Sequence, residues 1–250
     1  MNDNKTSKNS IVAKFAVPIS FLILFFLAAN FTDCDLVTFW KRRNHLTDLV
    51  VDMIPPDFSY IQKILLPLFY TIQMSVTGTV LGTFFALVLS PFGAANLGFP
   101  AVIRRILRIV IQILRSFPAL ILALTATFLF GLGTFAGTFA ITLYTFAIMT
   151  KLTYEDASAA DVKAYQALRA MGVSKYVAYI HGILPEIIPG FLTNALYLLE
   201  TNVRHSSILG YVGAGGIGLL LNEKISWLEY DKVGTILLML FLTVCVIEYF

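Results

Sequence analysis

Glu200 and Arg204 stand four residues apart in LETNVRHSS, with Asn202 and His205 beside them. On a helix that spacing puts both charges on one face. Two readings of the pair stand. The charges neutralise each other near a membrane interface, or Arg204, with His205 and Asn202, lends positive potential to the mouth of a polar pathway. A charge at the bilayer centre costs about 2.5–3.5 kcal/mol on insertion scales, so it usually faces a partner or a pathway. A second string, Gly213-Ala214-Gly215-Gly216-Ile217-Gly218, formally matches G-x-G-x-x-G. A dinucleotide site needs that string after a strand and before a helix, with an acid about 20 residues later. Here an apolar span precedes it, Leu219-Leu220-Leu221 follows, and Leu238 stands where the acid would be. The four glycines Gly213, Gly215, Gly216 and Gly218 therefore read as close backbone packing or a re-entrant turn buried in protein. No GxxxxGK[ST] string occurs, so the chain does not bind ATP in that way. His45, His181 and His205 match no metal-ligand spacing, and Cys34 and Cys245 form no paired pattern.

The elements that must hold these residues are membrane spans. Hydrophobic residues make up 58% of the 250 and charged residues 13%, with a mean hydropathy of +0.79. A soluble domain carries roughly 25% charge. The deficit excludes a soluble globular protein, a disordered chain and a nucleic-acid binder. A span needs about 20 mostly apolar residues, and six candidates follow. Val12 to Ala29, opened by Lys5, Lys8 and Lys14, lacks a clean A-x-A cleavage site and reads as an uncleaved first span. A polar stretch with five aspartates and Pro55-Pro56 leads to the second span, Ile64 to Ser90, ended by Pro91. Gly78, Gly82 and Ala86 recur every four residues in it and offer a face for close helix approach. In AVIRRILRIVIQILRSFP, Arg104, Arg108 and Arg115 fall within about 40° of each other on a helix, with Arg105 about 100° away. This segment reads as a helix in the membrane interface that then turns inward, anchored on anionic lipid. Ser116 to Thr150 holds 35 residues without a formal charge. At 1.5 Å each they run roughly 52 Å, too long for one crossing. A hairpin at Gly131-Leu132-Gly133 divides them into spans 117–131 and 134–150. The fifth span is 186–206. The sixth, 233–250, is about 27 Å long, which leaves open an end inside the membrane or a longer chain. Trp40 and Trp227 read as interface anchors.

Six spans put both termini on one side. Lys and Arg number three in residues 1–14, four in 93–116 and four in 151–176, against one, zero and three acids. The opposite loop, 31–63, has four against five. The positive-inside rule then places both termini, the arginine helix and loop 151–185 in the cytoplasm. Within that loop, Leu168 and Met171 support a short helix, Gly172 its stop, and Ser174 the cap of a second helix before Leu184-Pro185. A small helix–turn–helix knob of this kind suits docking in a groove of another protein.

Gln166-Ala167-Leu168, Gly172 six residues after Gln166, and Leu184-Pro185 at twelve and thirteen beyond it resemble the EAA loop of ABC importer permeases. The pattern has Glu-Ala-Ala, a glycine, then Ile-x-Leu-Pro. Here Gln166 stands for Glu, Leu168 for the second Ala, and Gly182 for Ile. LRSFPALILAL, FGLGTFAG, ASAADVKAYQALRAMG and LETNVRHSSILGYVGAGGIGLLL extend the resemblance, which is to permeases of phosphonate ABC importers, over about residues 60–250. It implies an all-α polytopic membrane protein of about six transmembrane helices, with the type I, MetI-like permease fold. Residues 1–63 would form an N-terminal span and outer loop, and 64–250 the permease core. It also implies a bacterial cytoplasmic membrane and a second permease chain as partner, with the homodimer favoured. ABC ATPase subunits binding ATP and Mg would sit beneath the EAA loop, and a substrate-binding protein would sit outside. The chain itself would hold no cofactor and would not be an enzyme. A phosphonate is anionic, which gives the Arg204 reading its chemistry. Rival cargoes are phosphite, phosphate or an amino acid. A secondary transporter would need an inverted repeat and coupling carboxylates, and no internal repeat is visible.

Overall fold

The computed structural model describes residues 3–32 and 36–249. Asp33, Cys34, Asp35 and Phe250 lie outside the described residues, as do the side chains of Lys5, Lys8 and Lys14. The described residues are helical throughout, joined by turns, with no strand among them. Two compact units divide the chain at Met1–Asp52 and Met53–Phe250. The first holds α1 (Asp3–Phe31) and α2 (Leu36–Asp52). The stretch expected to be a polar loop is thus helical over α2. Its own composition explains this, since LVTFWKRRNHLTDLVVD contains no glycine or proline to break a helix. Trp40 carries the Arg43 guanidinium 4.6 Å from its ring centroid.

The second unit begins with a short 3₁₀ turn, Phe58–Tyr60, and α3, Ile61–Gly93. Pro91 does not end this helix. Proline offers no N–H to the carbonyl of Leu87, but the hydroxyl of Ser90 donates to that oxygen at 3.1 Å, and the helix runs two residues further. The chain continues as α4 (Ala101–Ser116), α5 (Ala119–Phe130) and α6 (Thr134–Ala159). Then come α7 (Lys163–Ala170), α8 (Lys175–Gly182), α9 (Leu184–Leu209), α10 (Ile217–Ser226) and α11 (Tyr230–Tyr249).

By length and apolarity, α3 with its leading turn, α6 and α11 can each cross a membrane alone. α4 with α5 and α8 with α9 pass only as bent pairs, with bends of 93° and 68°. The expected third span, 117–131, is therefore half of a broken element. Twelve helical residues reach only about 18 Å, and Phe117-Pro118 turns the chain there because the residue before proline avoids helical geometry. The chain thus turns by nearly a right angle directly after the arginine helix, as expected. The fourth span outruns its expected end at 150, continuing to Ala159 through a Lys151–Glu155 ion pair of 3.4 Å.

Small residues and hydroxyls join α3, α6 and α9. A Cβ on Gly78 would sit 2.6 Å from Ile141 Cγ2, and one on Gly82 would sit 2.7 Å from Thr145 Cβ. The two helices can approach this closely only because those positions lack side chains. Thr71, Ser75, Thr79, Thr145, Asn202 and Ser206 are all buried in the same seam. The hydroxyls of Thr71, Ser75 and Thr79 donate back to the carbonyl four residues earlier, as in Ser75 to Thr71 at 2.8 Å, and Ser206 donates to Val203 O at 2.7 Å. That pairs these hydroxyls within their own helices instead of leaving them unsatisfied away from water.

The glycine-rich turn plugs into this bundle. Gly213, Gly215 and Gly216 take φ of +79°, +80° and +70°, a region closed to most side chains. The N–H of Gly133, in the α5–α6 hairpin, donates to the Gly213 carbonyl at 2.9 Å. The N–H of Ile217 donates to Thr71 Oγ1 at 2.7 Å. A Cβ on Gly218 would lie 1.9 Å from the carbonyl oxygen of Ser207.

Where α3 begins, Lys224 is buried at 6% exposure, its ammonium 5.5 Å from the Tyr60 ring centroid. It forms ion pairs with Glu223 at 3.0 Å and Glu229 at 2.9 Å, and lies 4.2 Å from the Trp227 ring centroid. Lys232 joins Glu229 at 2.6 Å. Lys232 and then Lys224 hold the Glu229 carboxyl below the usual carboxylate range. Hydrogen bonding to Glu229 and Glu223 outweighs burial and pushes the Lys224 ammonium up. Stability from the lowered acid is present above the ordinary carboxylate pKa and is lost as pH falls through the native value. Lys224→Met removes the shared cation. Losing a hydrogen-bonded buried charge costs on the order of 1–3 kcal/mol. Each kcal/mol moves the midpoint of a domain this size by about 2–4 °C. A melting temperature in detergent lower by about 3–10 °C is expected, and the loss should shrink at acidic pH where Glu229 is neutral.

Candidate functional site

The segment Lys163 to Pro185 builds a rigid elbow. Asp161 opens it by accepting the N–H of Lys163 at 2.9 Å, and that bond holds its carboxyl below the ordinary range. The stop of α7 is a full Schellman motif. Val173 N–H donates to Leu168 O at 3.2 Å, Gly172 N–H donates to Arg169 O at 3.1 Å, and Gly172 sits at φ +85°. The side chain of Arg169 donates to the Val173 carbonyl and closes the turn. Ser174 caps α8, its hydroxyl accepting from Val177 N–H. Leu184-Pro185 then opens α9, with the proline at a position where no helical N–H is needed.

The elbow is seated on the end of the bundle by one face. Tyr165 is 5% exposed, and its hydroxyl donates to the Leu97 carbonyl at 2.6 Å. Lys175 reaches the Gly98 carbonyl. Tyr165, Leu97, Ala94, Ala178, Tyr179 and Ile183 form one buried cluster, with Leu168 and Leu184 packed against it. The other face is bare. Gln166, Ala167, Ala170, Met171 and Gly172 are exposed, Met171 at 71%. Of the six elbow residues expected from the sequence, Gln166, Ala167, Gly172 and Pro185 are exposed, while Leu168 and Leu184 turn inward.

Two residues that hold the elbow carried a weaker sequence signal. Tyr165 is an aromatic among alanines. Gly182 stands where the resembled motif has isoleucine, and the structure supplies a reason. A Cβ there would fall 2.8 Å from the backbone N of Tyr165 and 2.9 Å from its Cα. Only a glycine lets α8 pass so close to α7.

On α9 the four candidate pathway residues separate. Glu200 and Arg204 are ion-paired, with Arg204 55% exposed and Glu200 20%. Asn202 points the other way. It is fully buried, and its amide donates to Thr79 and Thr145, both at 2.8 Å. His205 lines a cavity of about 310 Å³ with Pro118, Tyr144 and Ile208, its ring edge-on to Tyr144 at 5.6 Å. Nδ1 of His205 and Oδ1 of Asn202 are buried without a partner among the described residues. Among those residues no group of three or more His, Cys, Asp or Glu is placed to hold a metal ion.

The described core is thus a helical bundle with broken spans and a helix–turn–helix elbow seated on one end. A solved structure of the MetNI methionine ABC transporter in an inward-facing conformation shares this fold. Its TM-score is 0.67 at 21% identity, and the match covers 77% of this chain and 94% of that one. Residues 78–248 match the family described as binding-protein-dependent transport system inner membrane component, and the chain belongs to that family. It is thus a multi-pass inner-membrane transport component and not an enzyme. The chain is also 31% identical over 216 residues to the phosphite transport system permease protein PtxC of Stutzerimonas stutzeri. That match covers 86% of this chain and 78% of the relative. It is 32% identical over 197 residues to the phosphate-import permease protein PhnE of Mycolicibacterium smegmatis, covering 78% of this chain and 37% of that one.

Proposed function

We propose that the chain is the membrane subunit of an ABC importer for a small phosphorus oxyanion. The observation that carries this reading is the elbow, anchored to the bundle by Tyr165 and bare at Ala167, Ala170 and Met171. A bare apolar tip on a rigid mount can pass a push from a partner into α8 and α9. The partner is an ATPase that binds ATP and Mg, since this chain has no phosphate-binding loop. A second copy of the chain completes the pathway, and a substrate-binding protein delivers cargo at the opposite end. The arginine helix α4 lies at the same end as the elbow, where Arg108 donates to Gly93 O at 3.0 Å. This fits a cytoplasmic elbow, and with it cytoplasmic termini, under the positive-inside rule.

The relatives favour phosphite and phosphate as cargo ahead of organophosphonates. The α9 pair serves the pathway, with Arg204 lowering the barrier for an anion and Glu200 holding its guanidinium. Reconstituted with its ATPase and binding protein, the chain is expected to take up at least one phosphorus oxyanion in an ATP-dependent, saturable way. Sulfate is expected not to compete. Uptake indifferent to ATP would overturn the reading. Glu200→Gln and Arg204→Gln are each expected to lower uptake about 5–30-fold, the equivalent of roughly 1–2 kcal/mol. Full uptake by both variants in a normally assembled transporter would remove the pathway role and leave only mutual neutralisation.

A further inference from the structure

At the elbow end of the core, α4 and α6 enclose a pocket of about 340 Å³ between Arg108, Gln112, Arg115, Lys151, Tyr154 and Glu155. Three cations face one carboxylate. Glu155 is engaged by Lys151 at 3.4 Å, and among the described residues no carboxylate lies within ion-pair distance of any of the four arginines of α4. Uncompensated arginines gathered on one wall carry a field that a bound anion would relieve.

The pocket is also prearranged. Arg108 donates from Nε to the Gly93 carbonyl at 3.0 Å, and its guanidinium lies 5.0 Å from the Tyr154 ring centroid. That fixes the plane of the fork and leaves its terminal amino groups without a hydrogen-bond partner among the described residues. Arg115 lies seven residues on, nearly two turns along the same face. A guanidinium held in place and a second one on the same face form a two-point clamp for a tetrahedral oxyanion, and Lys151 supplies a point charge from the facing helix. A neighbouring cleft of about 290 Å³, lined by Arg104, Arg105 and Arg108, continues the basic wall outward.

We infer that this α4–α6 pocket is a binding site for a phosphate-type oxyanion, held by Arg108 and Arg115 against Lys151. The chemistry is shared by a free phosphorus oxyanion on the elbow side of the membrane and by the headgroup of an anionic phospholipid. The ligand bridges α4 to α6 across the bent α4–α5 element and so ties the interfacial arm to the core. The site does not depend on which cargo the transporter carries. It is separate from the α9 pair and from the His205 cavity, although Pro118 of that cavity follows Arg115 by three residues.

The test uses the purified permease–ATPase assembly without binding protein, as wild type and as Arg115→Gln, Lys151→Gln, Glu155→Gln and Arg105→Gln. Binding of inorganic phosphate is measured by equilibrium dialysis. Co-purified phosphatidylglycerol is counted by native mass spectrometry. Loss of one charge-assisted contact is expected to weaken ligand retention about tenfold or more in Arg115→Gln and Lys151→Gln. Glu155→Gln, which removes the one acid, is expected to tighten it, and Arg105→Gln to leave it within about twofold of wild type. A change confined to phosphate identifies the free anion, and one confined to phosphatidylglycerol identifies the lipid. Equal phosphate and equal phosphatidylglycerol in wild type and in all four variants would overturn the site. Glu155→Gln keeps the test decisive if the cation variants assemble poorly. Phosphite uptake measured in parallel separates this result from the cargo reading, because a transporter can pass that assay with an empty pocket.

Discussion

Replacing Met171 by Asp is expected to abolish ATP-driven uptake while leaving the chain in the membrane. Met171 is 71% exposed at the tip of α7 and belongs to none of the buried clusters of the core. The variant therefore adds no burden to the fold itself. In the proposed assembly with an ATPase the tip would enter an interface that excludes water. An uncompensated carboxylate in such a place costs about 3–5 kcal/mol, a weakening of at least a hundredfold in ATPase affinity. Both co-purification of the ATPase and uptake are expected to fall together. The fold remains testable through the melting temperature, expected within about 2 °C of wild type because exposed substitutions rarely change stability by more than about 0.5 kcal/mol.

The second large effect belongs to Gly182→Ile, which installs the residue type that the resembled motif carries at this position. The Cβ alone meets the Tyr165 backbone at 2.8 and 2.9 Å, and the nearest partner atoms belong to main chain that cannot rotate away. α7 must lift from α8, and the Tyr165 hydroxyl loses the Leu97 carbonyl. Overpacking of this kind typically costs about 1–3 kcal/mol, and here it falls on the joint between the tip and the span. Uptake is expected to fall at least tenfold with the ATPase still bound, because the tip survives while its mount shifts. Gly182→Ala should fall between wild type and isoleucine. Normal uptake by the isoleucine variant would show that α7 need not lie so close to α8.

Much of the elbow was legible in the sequence because its joints are made by residues with one dominant use. Gly172 occupies a left-handed position that other residues avoid, and Ser174 caps α8 through its hydroxyl. The small-residue face of α3 was readable for the same reason, since Gly78 and Gly82 have no side chains to hold α6 away. Pro91 misled because the loss of one hydrogen bond was repaired by Ser90, a rescue that depends on a rotamer and leaves no periodic signal. The 117–131 span misled because apolar length alone does not reveal a right-angled bend at Phe117-Pro118. The network around Lys224 was invisible. Its partners come from α10, the following turn and α11, and nothing in the spacing marks a buried lysine. The α9 residues are neighbours in sequence, yet two positions along a helix is about 200° of rotation. Asn202 accordingly joins the α3–α6 seam while Arg204 faces outward.

The claim that an external motor grips the elbow is tested most directly by placing one cysteine at its tip. Met171→Cys, in a chain whose Cys34 and Cys245 are first replaced by serine, is treated with a membrane-impermeant maleimide in the assembled transporter and in the permease alone. Rapid labelling is expected in the free permease, with strong protection once the ATPase is bound and a disulfide to a cysteine introduced in the ATPase groove. Labelling at the same rate with and without the ATPase, in a complex that still drives uptake, would contradict it.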